Sequence, residues 1–145
     1  MNSLTCAESA YIAGIIDGEG CISMSKIKTR NSFSIKKRIM VANSNLLLID
    51  WLHKTTGVGT VNEHCNGRNT QNGWKKQHIW YLTSKTGVEL IHQIMPYLIL
   101  KKQQAELFTE MFYLQNLSRR SSKFNEPRQE DILKEMHVLN QRGLN

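Results

Sequence analysis

The sequence predicts a single α+β domain with the element order α-β-β-α-β-β-α-α-α. Three observations carry that reading. Two stretches of alternating apolar and polar residues flank a short polar turn near the N-terminus, and a second such pair follows later. Apolar residues recur at helical spacing before, between and after those pairs. At 145 residues, with 40% apolar and 21% charged residues, the chain has the size and composition of one folded domain that needs no disulfide or metal staple.

The elements follow in order. Thr5-Cys-Ala-Glu8 reads as a capping box opening the first helix, which closes near Gly18 and Gly20. Alternation from Cys21 to Lys28 and again from Phe33 to Ala42, around Thr-Arg-Asn-Ser, predicts a hairpin. The next segment places Leu47, Leu48, Trp51 and Leu52 at helical spacing and is closed by Gly57. Val-Gly-Thr-Val-Asn-Glu-His and His-Ile-Trp-Tyr-Leu-Thr-Ser predict two more strands around a polar, basic loop. A third helix breaks near Pro96, and a longer one follows with Leu100, Leu107, Met111 and Leu114 on one side. Residues from Ser118 form a basic, Ser-rich linker, and Asn125 is placed to cap a last helix reaching Gln141, with Pro127 in its first turn. No internal repeat or second domain is visible, so one domain covers 1–145, with its core over about 7–117 and the linker and last helix over 118–145.

The formal charge of +7 favours a polyanionic partner, nucleic acid before an anionic membrane surface. Cys6, Cys21 and Cys65 are odd in number and irregularly spaced, which suits an intracellular, reducing compartment such as an organelle matrix or a microbial cytoplasm. No apolar run approaches the ~18 residues of a membrane span. Cys65 and His78 lack the second ligand pair of a zinc site, and His53, His92 and His137 have no partner spacing. Trp51, Trp80 and Phe108 read as core residues.

The stretch Tyr11 to Gly20 is the most informative. On a helical wheel Tyr11, Ile12, Ile15 and Ile16 cluster on one side, and Ala10, Ala13, Gly14, Asp17 and Gly18 on the other. The bulky arc faces the core. The small arc permits close approach of a second backbone, and Gly in a helix interior, about 1 kcal/mol worse than Ala, calls for such a reason. Glu19 falls where the helix ends, beside unsatisfied carbonyls and the negative end of the macrodipole, a position that suits a carboxylate only with a cation present. Oxygen ligands of this type suit Mg2+. An amphipathic helix with a solvated acidic end accounts for the same residues equally well.

Ile12-Ala-Gly-Ile-Ile-Asp-Gly-Glu-Gly20 resembles the signature of the LAGLIDADG homing endonucleases, with Ile for Leu twice, Gly for the seventh-position Ala and Glu for the second Asp. The element order resembles that family's αββαββα core with its DNA-binding antiparallel four-stranded sheet. Pro-Tyr-Leu-Ile-Leu-Lys-Lys-Gln-Gln-Ala-Glu-Leu is similar to the segment that supplies its active-site lysine. The resemblance spans roughly Ala7 to Leu117. One copy of the signature implies a homodimer whose interface is the small arc. It implies that Glu19 binds metal, that Gly18 lends its carbonyl, and that Asp17 caps the partner helix. Lys101 is the counterpart of the active-site lysine, Lys102 being the neighbour it could be confused with. Asn43 resembles a position that orients water, although Asn43 or Ser44 would equally cap the next helix. The family's active-site arginine has no counterpart, and Asn45 falls close by.

What the resemblance implies is a site-specific endonuclease that cuts both strands of a long pseudo-palindromic duplex and leaves short 3′ cohesive ends. Its cofactor would be Mg2+, with Mn2+ substituting and Ca2+ binding without cleavage. From Gly20 to Ile49 the basic residues Lys26, Lys28, Arg30, Lys36, Lys37 and Arg38 occur with no acid between them. Alternation puts Ser34, Lys36, Arg38 and Met40 on one strand face, with Ser23, Ser25, Lys28 and Arg30 contributed by the first strand and the hairpin tip. Lys37 breaks the pattern and suggests a bulge. The second hairpin adds Asn62, His64, Arg68, Lys75, Lys76 and Tyr81. Such a face suits the major groove. Arg119, Arg120 and Lys123 are further candidates for flanking phosphates. The rival readings are an intron-splicing maturase that binds RNA, an inactive DNA-binding protein on the same fold, and an assembly protein that uses the first helix only to dimerise.

Overall fold

The computed structural model describes residues 1–28, 30, 33–64, 76–118 and 127–141. Their order is α1 (Cys6–Glu19), β1 (Gly20–Lys28), β2 (Phe33–Asn43), α2 (Leu46–Thr56), β3 (Thr60–His64), β4 (Gln77–Thr83), α3 (Ser84–Ile94), a 3-10 turn (Met95–Tyr97), α4 (Lys102–Ser118) and α5 (Pro127–Leu139). This is the expected α+β order. The strands form one antiparallel sheet in the order β1-β2-β4-β3. Among the described residues no helix is long and apolar enough to cross a membrane.

Local sequence sets the boundaries. Thr5 and Glu8 close the expected capping box, with Glu8 N donating to Thr5 Oγ1 at 3.2 Å and Thr5 N to Glu8 Oε2 at 2.8 Å. α1 passes directly into β1 at Gly20, whose N–H still donates to Ile15 and Ile16 carbonyls. A Cβ at Gly20 would lie 2.7 Å from both Cα and O of Ile16, so only glycine permits this junction. Gly57 ends α2 in the left-handed region at φ 67°.

The helices cover one side of the sheet. Ile22, Ile35, Ile39, Val41, Trp80 and Leu82 from the strands are buried against Ile12 and Ile16 of α1, Ile49 and Leu52 of α2, Ile91 and Ile94 of α3, and Phe108 and Met111 of α4. Each such side chain contributes about 1.5–3 kcal/mol on burial. Ile132 and Met136 of α5 extend this core, and α5 packs on α4 and β1. Arg128 ties α5 down with a fork. Its Nε and Nη2 donate to the Glu110 carboxylate at 2.7 and 2.8 Å, and its Nη1 donates to Glu135 at 2.7 Å.

Several expected side-chain positions differ. Lys37 marks no bulge: β1 and β2 stay in register through Met24↔Lys37, and Lys37 points into the covered side, 4% exposed, where its amine donates to Gln115 of α4. A long apolar stem lets lysine fill such a position while its head finds an acceptor. Tyr11 leaves the core arc and packs edge-on against Trp51, with ring centroids 5.0 Å apart. Leu47 is 78% exposed, because the docked side of α2 runs through Ile49, Leu52 and Thr56. Leu100 is 72% exposed, since it precedes α4 rather than belonging to it. The last helix stops at Leu139, where Asn140 turns its amide onto the Ile22 carbonyl at 3.0 Å. The expected cap Asn125 lies outside the described residues.

Hydrogen bonds from Arg128 hold the Glu110 carboxyl below the ordinary carboxylate range. A lowered folded pKa stabilises the fold above the unfolded pKa, and that stability is lost as pH falls through the folded value. Glu110→Gln should therefore lower the melting temperature near neutral pH, by about 2–4 °C at most for a half-exposed pair. The difference should close in acid. A difference that does not change with pH would contradict this account of the pair.

Candidate active site and nucleic-acid interface

The end of α1 is built from three successive residues with separate duties. Asp17 turns into its own chain: its carboxylate accepts Ile99 N at 2.7 Å and Lys101 N at 2.9 Å. The carboxylate expected to cap a partner helix thus makes two hydrogen bonds within its own chain. The segment before α4 presents free N–H groups just where α1 ends, and the nearest carboxylate satisfies them. Lys101 completes the junction by donating its Nζ to the Asp17 carbonyl at 2.5 Å, while its own carbonyl starts α4 by accepting Ala105 N at 3.0 Å. A cation thus sits at the negative end of the α1 macrodipole. Lys102 opens α4 and is exposed, so Lys101 is the lysine brought to α1.

Glu19 is exposed, and its Oε2 accepts Asn43 Nδ2 at 2.6 Å. Asn43 Oδ1 in turn accepts Asn45 N at 2.8 Å, and Asn45 Oδ1 accepts Leu47 N at 3.0 Å as the N-cap of α2. The cap is therefore Asn45, not Asn43 or Ser44. A polar residue directly before an apolar helical run was the available signal. Because the Asn43 oxygen faces an N–H, its amide nitrogen must face Glu19. The structure thus gathers Glu19, Asn43, Gly18 and Lys101 around one helix terminus. Among the described residues no group of three or more His, Cys, Asp or Glu could hold a metal. An exposed carboxylate without soft ligands nevertheless fits a hard divalent cation that takes its remaining oxygens from water, phosphate or a second copy.

The outer side of α1 departs from expectation at one residue. Ala10, Gly14 and Gly18 are exposed, and a Cβ built at Gly14 or Gly18 would meet nothing within 4 Å. Ala13 is fully buried inside its own chain, so its methyl belongs to the core and is not available to a second copy.

The other side of the sheet, uncovered among the described residues, carries most of the expected polar set. The pairs Ser23↔Arg38, Ser25↔Lys36, Ile27↔Ser34, Met40↔Tyr81 and Asn62↔Ile79 share that side by register. Ser25, Ser34, Lys36 and Asn62 are exposed, as is Arg30 near the hairpin tip. Arg38 lies over the Tyr81 ring at 5.2 Å. Two expected members belong elsewhere. Lys28 pairs with Phe33 in the row of Ile22 and Ile35, which faces the helix side. Lys76 precedes β4 in the row of His78 and Trp80, and its amine pairs with Glu63 at 2.7 Å. His64 ends β3, but its side chain is outside the described set, as are Arg68, Lys75, Cys65, Arg119, Arg120 and Lys123. The linear sequence did not single out Ile99, which is 83% exposed beside Lys101; a run of apolar residues next to a cation was the only clue.

Asp17→Ala would leave the Ile99 and Lys101 N–H groups to water, at a cost of about 0.5–1.5 kcal/mol. Urea denaturation should report that loss, and amide exchange at Ile99 and Lys101 should accelerate. Unchanged exchange at both amides would show that Asp17 does not anchor the segment.

No family model and no curated protein matches the chain. Solved structures do. The homing endonuclease I-CvuI, in complex with its target in the presence of calcium, superposes with a TM-score of 0.74 at 19% identity, over 93% of this chain and 83% of that one. The archaeal intron-encoded homing endonuclease I-Vdi141I, complexed with DNA, gives 0.75 at 17% identity over 94% and 86%. The LAGLIDADG homing endonuclease I-GzeII, in complex with a DNA target, gives 0.61 at 16% identity over 94% of this chain and 44% of that one. The single signature, the α1–α4 junction and the half-covered four-stranded sheet together give this chain the fold of the LAGLIDADG homing endonucleases.

Proposed function

We propose that the protein is a homodimeric, metal-dependent, site-specific DNA endonuclease that hydrolyses both strands of a long pseudo-palindromic duplex and leaves short 3′ cohesive ends. The observation that carries this reading is the placement of an exposed carboxylate, Glu19, with Asn43 and Lys101 at the end of α1, where the uncovered sheet face begins. Neighbours of the same fold held on DNA, I-CvuI and I-Vdi141I among them, support it.

Each residue then has a task. Glu19 supplies a metal-binding oxygen, and Gly18 lends its carbonyl. Asn43 fixes the Glu19 carboxylate by donating to it. Lys101 holds positive charge beside the scissile phosphate, where negative charge grows in the transition state. Glu19 and the Gly18 carbonyl would hold Mg2+, with Mn2+ substituting and Ca2+ binding without cleavage, and the cation would supply water activation and charge stabilisation. Paired Glu19 residues from two copies would repel one another unless cations lay between them. Gly14 and Gly18 support the pairing, because neither is needed for packing within its own chain. Ser25, Ser34, Lys36, Arg38, Asn62 and Tyr81 would face the major groove. A reducing, intracellular compartment belongs to the same proposal.

Glu19→Gln should abolish cleavage of a selected duplex, a loss of at least a hundredfold, while binding in calcium is retained. Cleavage at the parent rate by Glu19→Gln would defeat the catalytic assignment. Binding by the parent protein with no cleavage in Mg2+ or Mn2+ would leave a DNA-binding protein. Gly14→Leu tests the pairing separately. Its side chain meets open space in the single chain, so the fold should survive while sedimentation shows a monomer and cleavage is lost. A Gly14→Leu protein that stays dimeric and active would place the interface elsewhere.

A further inference from the structure

We propose that Arg38 reads a guanine in each half of the DNA site and is a principal specificity determinant of the protein. This inference rests on the endonuclease reading above and goes beyond it to the base composition of the substrate.

Arg38 sits on β2, an interior strand flanked by β1 and β4, on the uncovered side of the sheet. Two shallow grooves meet at it. One, of about 270 Å3, is lined by Ser23, Ser25, Ile27 and Lys36; the other, of about 430 Å3, by Met40, Asn62, Ile79 and Tyr81, with Glu63 at its margin. The basic neighbours differ from it. Lys26 is paired with Glu130, Lys37 is buried on Gln115, and Lys76 is paired with Glu63. Among the described residues Arg38 makes no hydrogen bond or ion pair, and its Nε is buried without a partner. Its one contact of note is the Tyr81 face, 5.2 Å from the guanidinium carbon.

These facts fix how the side chain can be used. Cation–π attraction to the ring keeps the guanidinium over Tyr81 and reduces the freedom lost on binding. Burial of Nε withdraws one donor edge, so the fork is presented through Nη1 and Nη2. In the major groove only guanine offers two adjacent acceptors, O6 and N7, to such a pair. A phosphate also accepts a fork, but phosphates follow the rims of the groove, whereas an interior strand lies over its floor. Toward the α1 end of the same face stand Cys21, Met40, Ala42 and Ile79, none of which carries a forked donor. Arg38 is thus the forked donor nearest Glu19 on the described face. Lys36 and Arg30 lie farther out toward the hairpin tip.

The experiment is selection of bound duplexes from a randomised library, using the full chain with Ca2+ in place of Mg2+, in parallel with Arg38→Ala and Tyr81→Leu. Both substitutions lie on the uncovered face, and thermal melts confirm that each variant folds. Sites enriched by the parent chain should carry a guanine at one position per half-site. Arg38→Ala should erase that preference alone, leave other positions intact, and weaken binding to the guanine site by about tenfold or more per half. Tyr81→Leu should weaken the same preference. Enriched sites without an Arg38-dependent guanine would overturn the inference while preserving sequence-specific DNA binding. Equal weakening on every sequence in Arg38→Ala would do the same and mark a phosphate contact. Failure to enrich any site would overturn the endonuclease reading itself.

Discussion

The reciprocal grip between Asp17 and Lys101 is the constraint on which the rest of the architecture depends. The Asp17 carboxylate takes the Ile99 and Lys101 N–H groups, and the Lys101 amine returns to the Asp17 carbonyl. The exchange satisfies donors before α4 and an acceptor at the end of α1 at once, two sets of backbone groups that helix geometry leaves open. It fixes where α1 stops, and so where Glu19 stands. Gly14 and Gly18 of α1 stay exposed in this arrangement.

The two sides of the sheet divide the cations between stability and recognition. Lys37 and Arg38 are adjacent in sequence, yet the pleat sends them to opposite sides. Lys37 is buried on Gln115 and helps hold α4 against β2; Arg38 lies over the Tyr81 ring and, among the described residues, makes no hydrogen bond or ion pair. Lys26 likewise reaches Glu130 at 2.5 Å and lies 4.8 Å from the centre of the Phe33 ring, fastening α5 to the hairpin. The high positive charge of the chain is therefore not a uniform coat. Part of it is neutralised on the helix side, which sharpens the contrast with Lys36 and Arg38 on the other.

How much of this the sequence disclosed follows from the range of each signal. Capping chemistry and periodicity are local, so the Thr5–Glu8 box, the two hairpins and the order of the helices and strands among the described residues were legible. The region around Glu19 was legible because its signature is contiguous, and Lys101 because it follows Pro96 at a familiar interval. Long-range choices were not. A helical wheel cannot tell whether a small residue such as Ala13 is covered by its own chain or by another, and both flanks of α1 are used. Strand alternation located Arg38 but could not show that Lys76 meets Glu63, because the two residues are far apart in sequence. Leu47 and Leu100 misled for a related reason: apolar spacing marks which residues share a side, not which side docks.

The substitution of Glu for Asp at the metal-binding position has a structural answer in Asn43. The extra methylene gives Glu19 one more rotatable bond, so an exposed carboxylate there would sample several positions and lose freedom on binding a cation. Asn43 limits that freedom by donating to one carboxylate oxygen of this exposed residue. The donor is itself fixed, because Asn45 N holds its amide oxygen and Asn45 in turn caps α2. Three elements, α1, β2 and α2, thus converge on one side chain. A longer ligand can replace a shorter one where a neighbouring amide supplies the rigidity the shorter chain would have had. On this view Asn43 and Glu19 act as a unit, and the position of the carboxylate depends as much on the start of α2 as on the end of α1.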